Sequence, residues 1–207
     1  MKKFGFVFIA AALTLLAVSP AFAAGMMFGV KGGLNLANLT GDDVSDASIK
    51  TGVGVGAFLT YDLTEIFGVQ PEVLFTMKGA KVKDVDLGDV TWKVSYIEIP
   101  VLVKVNLPTG GNVKPALFVG PGFGFLLSSK LSDGDEVDVK DATTSTDIGI
   151  IVGAGIAYKM EKGAITFDAR YEVGMTTIVK EEDEDTGSKP DVKNSVISFM
   201  VGYAFAF

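Results

Sequence analysis

The chain has 207 residues, a formal charge of −7, and neither Cys nor His. Disulfides, thiolate metal sites, histidine ligands and Ser-His or Cys-His nucleophile pairs are thereby excluded. So acidic a chain is also a poor partner for nucleic acid, whose binding rests on neutralising phosphates.

Lys2 and Lys3 precede an apolar run from Phe4 to Ala17, interrupted only by Gly5 and Thr14. Ser19, Pro20 and the small-x-small triplet Ala21, Phe22, Ala23 follow. This is the pattern of a secretory signal peptide over residues 1–23, cut after Ala23. The run falls short of the roughly 20 apolar residues that a spanning helix needs. Loss of Lys2 and Lys3 takes the formal charge from −7 to −9, since the leader has no acidic residue. Residues 24–207 have the length of one domain.

From there the apolar residues alternate with small or polar ones, in eight segments. Residues 27–37 set Phe28, Val30, Leu34 and Leu36 against Lys31, Gly33 and Asn35. Residues 51–62 set Val53, Val55, Ala57, Leu59 and Tyr61 against Gly52, Gly54, Gly56, Phe58 and Thr60. In residues 67–78, Val69, Val73, Phe75 and Met77 oppose Gln70, Glu72, Thr76 and Lys78. In residues 92–107, Ile97, Ile99, Val101, Val103 and Val105 oppose Tyr96, Glu98, Leu102, Lys104 and Asn106. Residues 113–127 place Leu117, Val119, Phe123 and Phe125 opposite Lys114, Ala116, Phe118 and three glycines. Residues 147–158 place Ile148, Ile150, Val152, Ile156 and Tyr158 opposite Gly149, Gly153, Gly155 and Ala157. Residues 164–178 oppose Phe167, Ala169, Tyr171 and Val173 to Asp168, Arg170, Glu172 and Gly174.

The last segment carries Ile197, Phe199, Val201, Tyr203, Phe205 and Phe207 at every second position, with Ser198, Met200, Gly202, Ala204 and Ala206 between them. The second row is too small and too uncharged to face water. A strand with a greasy face toward lipid and a small face toward a crowded interior accounts for both rows. Tyr203, Phe205 and the terminal Phe207 resemble the assembly signal of bacterial outer-membrane barrels.

No segment after the leader is apolar enough for a helical span, and lipid admits only helices and closed barrels. The expectation is an all-β fold, an eight-stranded antiparallel up-and-down transmembrane β-barrel. Connections alternate long (38–50, 79–91, 128–146, 179–194) and short (63–66, 108–112, 159–163), as in barrels with short periplasmic turns and longer outer loops. The long connections hold most of the acid: Asp42, Asp43 and Asp46; Asp84, Asp86 and Asp89; Asp133, Asp135, Glu136, Asp138 and Asp141; Glu181, Glu182, Asp183, Glu184, Asp185 and Asp191. The 133–136 stretch does not match a calcium-loop pattern, so these read as solvated loops with no metal or cofactor.

Arg170, the one Arg of the chain, lies between Asp168 and Glu172 on an inward face. Glu72, Glu98 and Lys104 share that parity. An eight-stranded barrel has an interior that side chains fill, and charges inside it must pair. The reading is a lumenal ion-pair network of Glu72, Glu98, Lys104, Asp168, Arg170 and Glu172. Its role is to fill and rigidify the core, since no nucleophile–base arrangement accompanies the carboxylates. The glycine runs 52–56 and 120–124 lack the context of phosphate loops and read as lumenal gaps for Phe58, Phe118 and Arg170. Pro71 and Pro100 each remove a ladder donor or mark a bulge.

The chain resembles the PorT-like outer-membrane β-barrel proteins of Gram-negative bacteria. The likeness is carried by Gly29, Lys31, Gly33, Asn35, Ala37 and Asn38, by Gln70, Pro71, Glu72 and Leu74, and most specifically by residues 96–104 with Tyr96, Glu98, Pro100 and Lys104. Phe118, Gly120 and Pro121, then Asp168, Arg170 and Tyr171, and Gly202, Tyr203 and Phe205 extend it over nearly all of residues 24–207. The resemblance implies a barrel of about eight strands and no single activity; some relatives are linked to protein secretion. The functional expectation is a monomeric, non-enzymatic outer-membrane barrel, exported through the periplasm, with a filled polar lumen and a structural or surface-interaction role. Its partners are outer-membrane lipid, the assembly machinery, and lipopolysaccharide or an extracellular ligand at the acidic loops. The alternatives are a narrow pore for small solutes, a membrane-embedded enzyme using Glu72 or Glu98, and a soluble lipocalin-like binder.

Overall fold

Period-two alternation requires that each segment keep one face toward an apolar medium, and in the computed structural model every segment is a strand. The structure describes residues 26–44, 47–84, 88–133, 135–180 and 187–206. The expected leader 1–23, Asp46, Asp86, the acidic run 181–185 and Phe207 lie outside them. The strands are β1 (Met26–Thr40), β2 (Ala47–Asp62), β3 (Phe67–Asp84), β4 (Gly88–Asn106), β5 (Val113–Ser132), β6 (Glu136–Asp138), β7 (Thr146–Met160), β8 (Gly163–Gly174) and β9 (Lys193–Ala206). Neighbours pair antiparallel in the order β4-β3-β2-β1-β9-β8-β7-β5, and β4 also pairs with β5. That pairing closes the sheet into an eight-stranded barrel. The three-residue β6 only extends the free end of β5.

The outward row is apolar throughout. Val30, Leu34, Val55, Val73, Val101, Leu117, Val119, Ile150, Val152, Phe167, Phe199 and Val201 are all exposed. The inward row is buried although much of it is polar, as at Lys31, Asn35, Glu72, Lys78, Glu98, Arg170 and Glu172. A water-exposed fold would have these rows reversed; lipid outside and a packed lumen inside explain them.

Several strands outrun their sequence-based bounds at the long-loop end. β3 and β4 continue to Asp84 and from Gly88, so the expected loop 79–91 is mostly hairpin. The alternation is masked there by Lys and Asp, which a strand beyond the lipid can carry on both faces. Gly79, at φ +110°, accompanies a register shift between Ile49 and Gly54 of β2. A Cβ at Gly79 would run into the Trp92 carbonyl oxygen, so only Gly fits. β8, by contrast, ends at Gly174 rather than at 178. Ile178 leaves the sheet and is fully buried with Leu39, Ala80 and Val192.

Pro71 and Pro100 interrupt ladders without slipping them. β3 pairs with β4 as Pro71↔Val101 and resumes as Leu74↔Glu98, in the same register. The bulge between β4 and β5 falls at Ser95/Tyr96 instead. The rings of Phe58 and Phe118 fill gaps at Gly29 and Gly153, not those of the two glycine runs. A Cβ at either glycine would overlap the ring beside it.

Phe199 lies mid-strand in β9 and faces lipid. Phe199→Lys should destabilise the barrel by about 2–4 kcal/mol, measured by denaturant unfolding in lipid vesicles. Loss of similar size on substituting a residue of the outer hairpin would show that the belt is misplaced.

Candidate functional site

The inward parity of β1, β3, β4, β7, β8 and β9 brings polar and charged side chains into the lumen as two layers. In the layer nearer the short turns, Arg170 Nη1 donates to Glu72 Oε2 (2.8 Å) and Arg170 Nη2 to Asp168 Oδ2 (3.0 Å). Lys31 Nζ donates to Glu72 Oε1 (2.9 Å) and to Asp168 Oδ2 (2.7 Å). Two cations and two carboxylates thus cross-link three strands. Lys31 also stacks over the Phe58 ring (4.5 Å) and Arg170 over Phe118 (5.4 Å).

The second layer is nearer the long loops. Lys78 Nζ donates to Glu172 Oε1 (2.5 Å) and lies 3.5 Å from both Asp147 Oδ2 and Glu98 Oε1. Asn194 Nδ2 donates to Asp147 Oδ2 (2.8 Å) and Tyr96 OH accepts from it at 3.4 Å. Three carboxylates therefore share one ammonium. Glu98 Oε1, Asp147 Oδ1 and Asn194 Oδ1 have no hydrogen-bond partner among the described residues. Leu74, Ile151 and Met200 fill the space between the layers and leave about 10 Å³ free. That is the lower limit for a single water molecule.

The sequence-based network is therefore divided. Glu72, Asp168 and Arg170 meet in one layer, whereas Glu98 and Glu172 join Lys78 in the other. Lys104 joins neither: it donates to the neutral Gln70 Oε1 at 3.0 Å. Lys31 and Lys78 have the inward parity, and Asp147 opens a strand, yet only cross-strand register shows that they carry the network.

Above the second layer, Leu39, Ala80, Ile178 and Val192 form an apolar cap, with Trp92 and Val179 against it. The cap is tied down by Ile178 N to Val192 O (2.8 Å) and Thr144 N to Ile178 O (2.8 Å). The opposite end is not filled as the sequence suggested. A cavity of about 550 Å³ opens there between the short turns and reaches Lys31 and Asp168. Ala116, Gly155 and Ala157 are too small to close it.

Outside the lipid span, Glu136 accepts from Lys93 Nζ (2.9 Å) and Lys130 Nζ (2.8 Å). The Lys130 hydrogen bond, then that of Lys93, lowers its carboxyl from 4.5 to about 2. Tyr203 and Phe205, the described part of the expected assembly signal, stack edge-to-face at 4.7 Å on β9.

Removing one buried partner leaves an uncompensated charge. Arg170→Met and Lys78→Met should each cost about 3–5 kcal/mol, read from denaturant unfolding and heat-shifted gel migration. Asp147→Asn should cost less than either, because it relieves a surplus of negative charge; an equal loss would show the layer is not overcharged. The Glu136 clamp has a lowered folded pKa. Its contribution is therefore present above pH 4.5 and fades as pH falls through about 2. NMR titration of Glu136 should show a midpoint near 2 that moves up toward 4.5 in Lys130→Met.

The family described as outer membrane protein beta-barrel domain matches residues 21–180. Among solved structures, a major outer membrane protein from Thermus thermophilus is 18% identical with a TM-score of 0.56, over 88% of this chain and 99% of the other. Neisserial surface protein A is 16% identical with a TM-score of 0.51, over 87% and 97%. Outer membrane protein W of E. coli is 14% identical with a TM-score of 0.51, over 87% and 97%. At these identities the likeness is one of fold. No curated protein matches the chain. The lipid-facing belt, the closed sheet and this match set aside the soluble lipocalin-like alternative: the chain belongs to the outer membrane protein beta-barrel domain family and is an eight-stranded barrel of the outer membrane.

Proposed function

We propose that this protein is a non-enzymatic barrel with a sealed lumen, acting at its acidic outer end as a structural or surface-interaction element. The observation that carries this is the lumen itself. Two ion-paired layers and an apolar cap stand in series across it, with about 10 Å³ of free space between the layers. A solute would have to part buried ion pairs, each costly to break.

The PorT-like resemblance, with its link to secretion, is part of the same reading. The residues that carry it, among them Tyr96, Glu98, Asp168 and Arg170, supply the lumen layers rather than a reactive site. Glu72 and Glu98 belong to different layers, which disfavours a shared acid–base role. Tyr203, Phe205 and Phe207 serve the assembly machinery, and the outer acidic groups face lipopolysaccharide or an extracellular ligand. The protein works as a monomer, since the closed barrel leaves no strand edge for a partner.

The narrow pore is favoured by one observation, the cavity at the short-turn end, which is half of a channel. Planar-bilayer recording separates the readings. The wild type should show no stable open conductance, and Lys78→Ala should introduce flicker. A steady wild-type conductance would establish the pore.

A further inference from the structure

We infer that the cavity at the short-turn end is a binding site for a small organic anion with a short apolar body, anchored by Lys104. By the topology of outer-membrane barrels this end faces the periplasm. Its volume, about 550 Å³, lies in the range of small-molecule sites, roughly 300–1,000 Å³.

The charge balance of its lining selects the ligand. Lys31, Lys104, Lys114 and Lys159 line it against Asp62, Glu65 and Asp168. This is an excess of one positive charge, in a chain whose total is −7. Asp168 is already held by Lys31 and Arg170. No ion pair among the described residues includes Lys104, Lys114 or Lys159. Lys114 donates to the Thr109 carbonyl at 2.7 Å, at the rim. Lys104 is partly buried within, and its one acceptor among the described residues is the Gln70 amide oxygen, at 3.0 Å.

Lys104 is not needed by the ionic layer below it. Glu72 and Asp168 each have two cationic partners at 2.7–3.0 Å without it. Nor does Gln70 need it, because Thr60 Oγ1 donates to the same oxygen at 2.9 Å. A half-buried ammonium that faces the cavity with two N–H donors to spare, and with no carboxylate of the described residues within ion-pair distance, is served best by an anion. Phe58, Phe118, Met27 and Ala157 line the same cavity and suit a short apolar body. With the ionic layer as its floor, the cavity holds its occupant and does not pass it on.

The test is calorimetry on the full barrel in lipid nanodiscs, with hexanoate, hexylammonium and inorganic phosphate as probes. Hexanoate should bind saturably at one site. Lys104→Met should weaken it about tenfold or more, Lys104→Arg should keep it within about threefold, and Lys140→Met at the outer end should not change it. Hexylammonium should not bind, and phosphate should bind more weakly than hexanoate because it lacks the apolar body. If Lys104→Met fails the heat-shifted migration test of folding, Lys104→Gln is measured in its place. The inference is overturned if hexanoate shows no saturable binding, if loss of the Lys104 charge leaves its affinity unchanged, or if hexylammonium or phosphate binds as tightly. Conductance is read on the same samples, so a pore would be seen independently of the site.

Discussion

A backbone N–H or C=O left unpaired in hydrocarbon costs several kcal/mol. The pairing of β1 with β9, from Met27↔Ala206 to Thr40↔Lys193, removes the last open edge. Everything else in the molecule follows from that closure. Once the sheet is a ring of eight, the alternate residues of every strand have nowhere to go but a narrow lumen. There they must be small, or fit together by charge and hydrogen bonding.

The lumen meets this demand in series. Glycines and alanines leave room for the Phe58 and Phe118 rings, over which Lys31 and Arg170 are set. Those cations then bind Glu72, which is fully buried, and Asp168, which the short-turn cavity reaches. The second layer repeats the arrangement with an excess of acid, three carboxylates around Lys78. The apolar cap of Ile178 and Val192 then separates that layer from the outer loops. Among the described residues the short-turn end lacks such filling, and there the surplus positive charge is displayed to whatever enters.

Most of the fold is legible in the sequence, because period two is a local property. Each outward row, such as Ile197, Phe199 and Val201, states its medium by itself. The strand ends are less legible. Beyond the lipid, β3, β4 and β5 run through Lys, Asp and Ser that read equally well as loop, and Ile178 reads as strand although it folds inward as a cap. The ionic partners are legible only as a set. Parity names Glu72, Glu98, Lys104, Asp168, Arg170 and Glu172 as inward. It does not say which are level with one another, because height in a barrel depends on the register between strands far apart in the chain.

The amino-acid sequence by itself determined the strands, their number, the side each residue faces and the exclusion of cysteine and histidine chemistry. All of these rest on composition or on the two-residue repeat. Tertiary structure alone decided that Arg170 meets Glu72 rather than Glu172, that Lys78 gathers three carboxylates, and that Lys104 is left over. Those outcomes depend on the stagger with which the ring closes, which sets the height of every inward side chain and is written in no single segment.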